Sequence, residues 1–166
     1  MSTIRIMLVE DDLDYRYLIE QALRREADFE LCTSCTDGKS AVQTALMEQP
    51  DIVLSDVMMP GISGNEMCRR IKNNIHTCHI PVVLLTARIS PEQQVEGLMS
   101  GADDYITKSF NAKILLIKIN NILRNRELLH HTNTDNSQST NVPGVVQNES
   151  DKKLLDKIKA VSYTHL

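Results

Sequence analysis

No stretch of about 18 apolar residues occurs in the 166-residue chain, so no segment reads as a membrane-spanning helix. The start, Met1-Ser2-Thr3-Ile4-Arg5, runs straight into an apolar strand and lacks the apolar core of a secretory leader. These two absences point to a cytoplasmic protein with no membrane partner. An excess of positive charge is also missing. The net charge is −4, all of it in residues 1–127, and the remaining tail is balanced. A domain that acidic is not expected to bind nucleic acid directly. Cysteine is sparse: four residues, with one C-x-x-C at Cys32 and Cys35 and no second pair to complete a zinc site. Both lie in an expected strand, where residues three apart face opposite sides. His76, Cys78 and His79 crowd together without a fourth ligand. Reduced thiols and surface histidines are the expected reading of all of them.

What is present is a pattern of alternation. Apolar residues make up 42% of the chain, enough for one cored domain with an appendage. Strands are expected at Ile4–Val9, Phe29–Cys35, Ile52–Ser55, Ile80–Leu85 and Asp104–Ile106. Helices are expected at about Leu13–Glu26, capped by Asp12, at Ser40–Gln49, stopped by Pro50, at Gly64–Asn73, at Pro91–Ser100, stopped by Gly101, and from Asn111 to about Leu129. The first helix puts Leu18, Ile19, Ala22 and Leu23 on one face. The last carries Ile114, Leu115, Ile117, Ile122 and Leu128 among its apolar positions. Five strands alternating with five helices imply a doubly wound, mostly parallel sheet with right-handed crossovers.

Residues 130–149 are mainly polar and Asn/Thr/Ser-rich, and read as a linker. Residues 150–166 begin with Ser150-Asp151 and place Leu154, Leu155, Ile158 and Val161 at helical spacing. So short a helix needs a partner surface, so it reads as leading to a missing output domain. Val161–Leu166 continues no helical pattern and reads as non-native sequence.

Ligands of open parallel sheets bind at the carboxyl ends of the strands. Those ends here carry Glu10 and Asp11, Asp56, Thr86, and Thr107-Lys108. With strand order 2-1-3-4-5, the acids converge between Thr86 and Lys108. Carboxylates crowd together in ionised form only around a cation, and an all-oxygen set suits Mg²⁺. Thr86 offers a hydroxyl and Lys108 a point charge to a phosphoryl oxygen. Asp56 is left as a nucleophile able to form an acyl phosphate. Any one of these residues alone would read as a solvated strand-end group, but five on one edge make a Mg²⁺-dependent phosphoacceptor the better reading.

Leu8-Val9-Glu10-Asp11-Asp12, Asp56-Val57-Met58-Met59-Pro60-Gly61, Val83-Leu84-Leu85-Thr86-Ala87 and Gly101-Ala102-Asp103-Asp104-Tyr105-Ile106-Thr107-Lys108 resemble the motifs of bacterial response-regulator receiver domains over about residues 4–129. The resemblance implies a flavodoxin-like (βα)5 fold and phosphorylation of Asp56 by a sensor histidine kinase. It implies that Glu10, Asp11, Asp56 and the backbone carbonyl of Met58 hold Mg²⁺, and that Thr86 and Lys108 contact the phosphoryl group. It further implies that Tyr105 turns inward with Thr86, remodelling the face of helix four, strand five and helix five, through which homodimers can form. The chain departs from the family at Ser109, where proline usually follows the lysine across a cis bond. A cis bond without proline costs roughly 2.5–4 kcal/mol, against about 0.5–1 before proline. Lys108–Ser109 is therefore trans or strained, and weaker coupling to the output face is expected, which a Ser109→Pro variant would test.

The pattern of His79–Arg88, Glu96-Gly97-Leu98 and residues 120–129 is similar to receivers joined to AraC-type helix-turn-helix output domains, so any contact with DNA is expected through that domain. Met1 so close to the first strand favours a receiver at the start of its protein. A stand-alone or phosphorelay receiver acting by protein contact is the alternative. A Mg²⁺-dependent phosphatase is disfavoured, because Met58 occupies the place of the second aspartate that haloacid-dehalogenase-like enzymes use as general acid.

Overall fold

The structure, a computed structural model, describes residues 3–87, 91–109 and 111–135. Five strands, β1 (Ile4–Val9), β2 (Phe29–Cys35), β3 (Ile52–Asp56), β4 (Val82–Thr86) and β5 (Asp104–Thr107), form one parallel sheet in the order β2-β1-β3-β4-β5. The helices α1 (Leu13–Arg24), α2 (Gly38–Glu48), α3 (Gly64–Asn73), α4 (Pro91–Ser100) and α5 (Ala112–Asp135) connect or follow them. This is the doubly wound parallel sheet that the alternation implied, and its strand order is that of the flavodoxin-like (βα)5 fold that the resemblance implied. Among the described residues no helix is long and apolar enough to cross a membrane.

The central strands are apolar on both faces because both faces are covered. Met7, Val9, Val53, Val82 and Leu84 face a layer containing Ala41 and Ala45 of α2 and Met67, Cys68 and Ile71 of α3. Ile6, Leu8, Ile52, Leu54, Val83 and Leu85 face Ile19 and Leu23 of α1 and Leu115 and Ile119 of α5. Full burial of each Val, Leu, Ile or Met side chain among them contributes roughly 1.5–3 kcal/mol before chain entropy is counted. Parallel register then brings the strand ends level: Val9 opposite Ser55, Asp56 opposite Leu85, and Thr86 opposite Thr107.

The helix starts follow local chemistry. The Asp12 carboxylate accepts the amides of Asp14 at 2.9 Å and Tyr15 at 3.0 Å, capping α1. Asp37 caps α2 through the Ser40 amide, and Ser63 caps α3 through the Glu66 amide. Before Pro50, Gln49 ends α2 in the left-handed region at φ 47°.

Three expectations change. Cys32 and Cys35 do not face opposite sides. The β1–β2 register slips between Ile6 and Met7, so Cys32 is the extra residue of a bulge, and both cysteines pack on the α2/α3 side of the sheet. Leu18 of α1 and Ile114, Ile117 and Leu128 of α5 are exposed; of the expected α5 positions Leu115 is fully buried, together with Ile119. Helix α5 begins after Asn111, whose side chain accepts the Lys113 amide, and continues past Leu129 to Asp135. Residues 130–135 are polar, but they contain neither proline nor glycine to stop it. The chain divides into a unit over Met1–Leu128 and a second over Leu129–Leu166. The rest of the linker, the segment at 150–166 and the reading of Val161–Leu166 lie outside the described residues.

Candidate functional site

Each strand delivers its site residue by ending. β3 ends on Asp56, which is only 5% exposed. Its Oδ1 accepts the Met58 amide at 3.2 Å, so the loop folds back over the carboxylate. Glu10 follows β1 and is wholly buried, and Asp11 beside it is open to solvent. One oxygen from each of Glu10, Asp11 and Asp56 lies within 4.8 Å of the others. Thr86 ends β4 and is buried, and its carbonyl accepts the Lys108 amide at 2.7 Å.

Lys108 closes the site. Its Nζ donates to Asp56 Oδ2 at 2.8 Å and to Glu10 Oε1 at 3.0 Å. It is equally close to Glu10 Oε2 at 3.0 Å, but off the angle of a hydrogen bond, so among the described residues that buried oxygen has no hydrogen-bond donor. Burial alone would lower the ammonium's pKa. The hydrogen bonds and charges of Asp56 and Glu10 outweigh it and raise the pKa above the ordinary lysine value. Burial, aided by the nearby Asp56 charge, pushes the Glu10 carboxyl up despite the Lys108 hydrogen bond.

An undonated buried carboxylate oxygen beside two further carboxylates is the donor set a hard divalent cation takes, so the residues fit Mg²⁺. The Lys108–Ser109 bond is trans. The lysine therefore reaches both carboxylates without the cis turn.

Tyr105 lies inward. Its hydroxyl donates to Asn65 Oδ1 at 3.3 Å and sits 3.5 Å from Ser100 Oγ, both residues being buried. Burial raises the phenol's pKa. A Cβ on Gly97 of α4 would fall on that hydroxyl, so the glycine makes room for the inward ring.

Sequence reasoning missed Asn65, Gly97 and two others. A Cβ on Gly64 would strike the Asp56 carbonyl oxygen, so only glycine lets α3 start against the end of β3. Tyr15 of α1 donates to the Lys108 carbonyl at 3.1 Å. The one available signal was a glycine inside each expected helix, where helix propensity alone disfavours it. Nothing marked Asn65 or Tyr15.

The family model of the response regulator receiver domain matches residues 6–120. Histidine kinase P4 of Formosa agariphila is 44% identical over 121 residues, which are 73% of this chain and 9% of the kinase. Transcriptional regulatory protein CseB of Streptomyces coelicolor is 40% identical over 119 residues, 72% of this chain and 49% of that protein. The chain thus spans about half or less of the length of these relatives. Among solved structures, the chemotaxis response regulator CheY4 of Vibrio cholerae superposes with a TM-score of 0.66 at 28% identity, covering 73% of this chain and 99% of its own. A CheY-like receiver domain protein of Methanospirillum hungatei gives 0.69 at 28% identity, covering 76% and 98%. A family model spanning well over half the chain, a matching fold and a strand-end acidic cluster closed by lysine lead to one assignment: the chain belongs to the response regulator receiver domain family.

Proposed function

We propose that Asp56 accepts a phosphoryl group from the phosphohistidine of a sensor histidine kinase. The carrying observation is the Lys108 ammonium, held between the buried carboxylates of Asp56 and Glu10. An Asp56 carboxylate oxygen attacks phosphorus, a P–O bond forms as the P–N bond breaks, and the imidazole leaves with the electron pair. Glu10, Asp11, Asp56 and the Met58 carbonyl would hold Mg²⁺, which when bound offsets the negative charge of the carboxylates and phosphoryl oxygens. Lys108 transfers its contact from Asp56 to a phosphoryl oxygen, and the Thr86 hydroxyl supplies a second donor.

Those contacts favour one arrangement of the segment after β4 and hold Tyr105 in the inward position it already occupies. The face of α4, β5 and α5 then changes, and that change supports homodimer formation and control of an output domain. Relatives named as transcriptional regulators favour a transcriptional output, with an AraC-type domain as the specific candidate. The residue two places after Asp56 is Met58, an apolar side chain that offers no general acid, so a phosphoacceptor fits better than a phosphatase.

The test is incubation with Mg²⁺ and acetyl phosphate, followed by intact-protein mass and oligomeric state. Wild type should gain one phosphoryl group, and an Asp56→Asn variant none. Equal modification of both would overturn the assignment.

A further inference from the structure

The trans bond after Lys108 leaves open what holds the lysine over Asp56, and the contacts around it point to α1. Asp12 donates its amide to Glu10 Oε1 at 3.2 Å and caps α1 by accepting the Tyr15 amide at 3.0 Å. Tyr15, half-buried, reaches across to donate its hydroxyl to the Lys108 carbonyl at 3.1 Å. The same ring lies beneath the lysine's other end, with Nζ 4.7 Å from its centroid. Nζ returns to Glu10 Oε1 at 3.0 Å. The contacts close a circuit from Glu10 through Asp12, Tyr15 and Lys108 back to Glu10.

Tyr15 therefore grips Lys108 twice, once at the carbonyl beside the Ser109 bond and once at the ammonium. A residue that only filled space against α5 would need neither contact. We propose that Tyr15 is a positioning residue for phosphoryl transfer, holding Lys108 in the reach of Asp56. It acts through the lysine and touches no reacting atom. The inference rests on Asp56 being the phosphoacceptor. A hydroxyl–carbonyl bond and a half-exposed cation–ring contact each correspond to roughly three- to tenfold in rate.

The experiment times phosphorylation of the full chain by acetyl phosphate at saturating Mg²⁺, and measures Mg²⁺ affinity separately by calorimetry without phosphodonor. Tyr15→Phe, which keeps the ring, should slow the reaction about threefold. Tyr15→Leu, which loses both contacts, should slow it on the order of tenfold or more. Mg²⁺ affinity should stay within about twofold, because Tyr15 touches no metal-holding carboxylate. In a Lys108→Ala background, Tyr15→Leu should cost nothing further, read from Asp56 occupancy after a fixed long incubation. A wild-type rate for both Tyr15 variants overturns the proposal, as does an equal loss with and without the lysine. Urea midpoints show whether Tyr15→Leu is folded, and Tyr15→Phe carries the test if it is not. Failure of the wild type to modify Asp56 would instead refute the phosphoacceptor assignment.

Discussion

Replacing Gly64 by alanine probes whether the start of α3 and the end of β3 are as tightly joined as the geometry implies. The added Cβ would overlap the Asp56 carbonyl oxygen and come within 2.9 Å of Val57 Cα and 3.0 Å of the Asp56 carbonyl carbon. All three are backbone atoms, which cannot rotate away. Sliding α3 outward would open space beneath Met67, Cys68 and Ile71, all fully buried. The Gly64 amide also donates to the Val57 carbonyl at 2.9 Å and would be pulled from it.

Overpacking a core typically costs about 1–3 kcal/mol, and backbone obstacles put this site at the upper end. Alanine's better helix propensity returns at most about 1 kcal/mol. The net expectation is about 2 kcal/mol, which on a unit of this size lowers Tm by roughly 6–10 °C. The displaced strand end carries Asp56, so phosphorylation should also slow by roughly 10- to 100-fold. Urea denaturation and timed acetyl phosphate modification measure the two effects. Gly61→Asn is the control. Gly61 sits at φ 80° with nothing near its missing Cβ, and asparagine tolerates that conformation, so the change should stay within about 0.5 kcal/mol. Should Gly64→Ala match wild type as closely as the control does, the close-approach reasoning is refuted.

Three further outcomes are expected. Gly97→Ala should leave the fold intact but drive Tyr105 outward, since the obstacle is the end of a side chain that can swing. Nitration mapped by mass spectrometry should then show Tyr105 more reactive than in wild type, and continued protection would refute the packing argument. Asp103 accepts Lys72 Nζ, Arg126 Nη2 and the Val82 amide, each at 2.7–2.8 Å. Burial pushes its carboxyl up, but these bonds outweigh it and hold the pKa below the usual aspartate value. Asp103→Asn should therefore cost about 2 kcal/mol at pH 7. A depressed acid stabilises above its unfolded pKa and loses that as pH falls through the folded one. The gap between wild type and variant should accordingly narrow below about pH 4, and a gap independent of pH would contradict the assignment. Finally, iodoacetamide should label exposed Cys78 first, because Cys35 and Cys68 are buried, Cys32 partly so, and burial raises the pKa of all three. Fast labelling of Cys68 would refute the packing of α3.

Sequence alone determined the alternation of elements, the cap at Asp12, and the strand-end residues Glu10, Asp11, Asp56, Thr86 and Lys108. Each of these depends on neighbours within a few positions, where periodicity and capping chemistry act. Only the tertiary structure decided the rest. The bulge at Cys32 depends on which residue of β1 pairs with which of β2, and it reversed the expected facing of the two cysteines. The needs for Gly64 and Gly97 come from a backbone carbonyl and a tyrosine hydroxyl brought close by packing. Tyr15 lies 93 residues from Lys108, and their contacts arise because α1 and the residue after β5 meet over the carboxyl edge of the sheet. No local pattern encodes such a meeting, since the residues that make it share nothing but a position in the folded chain.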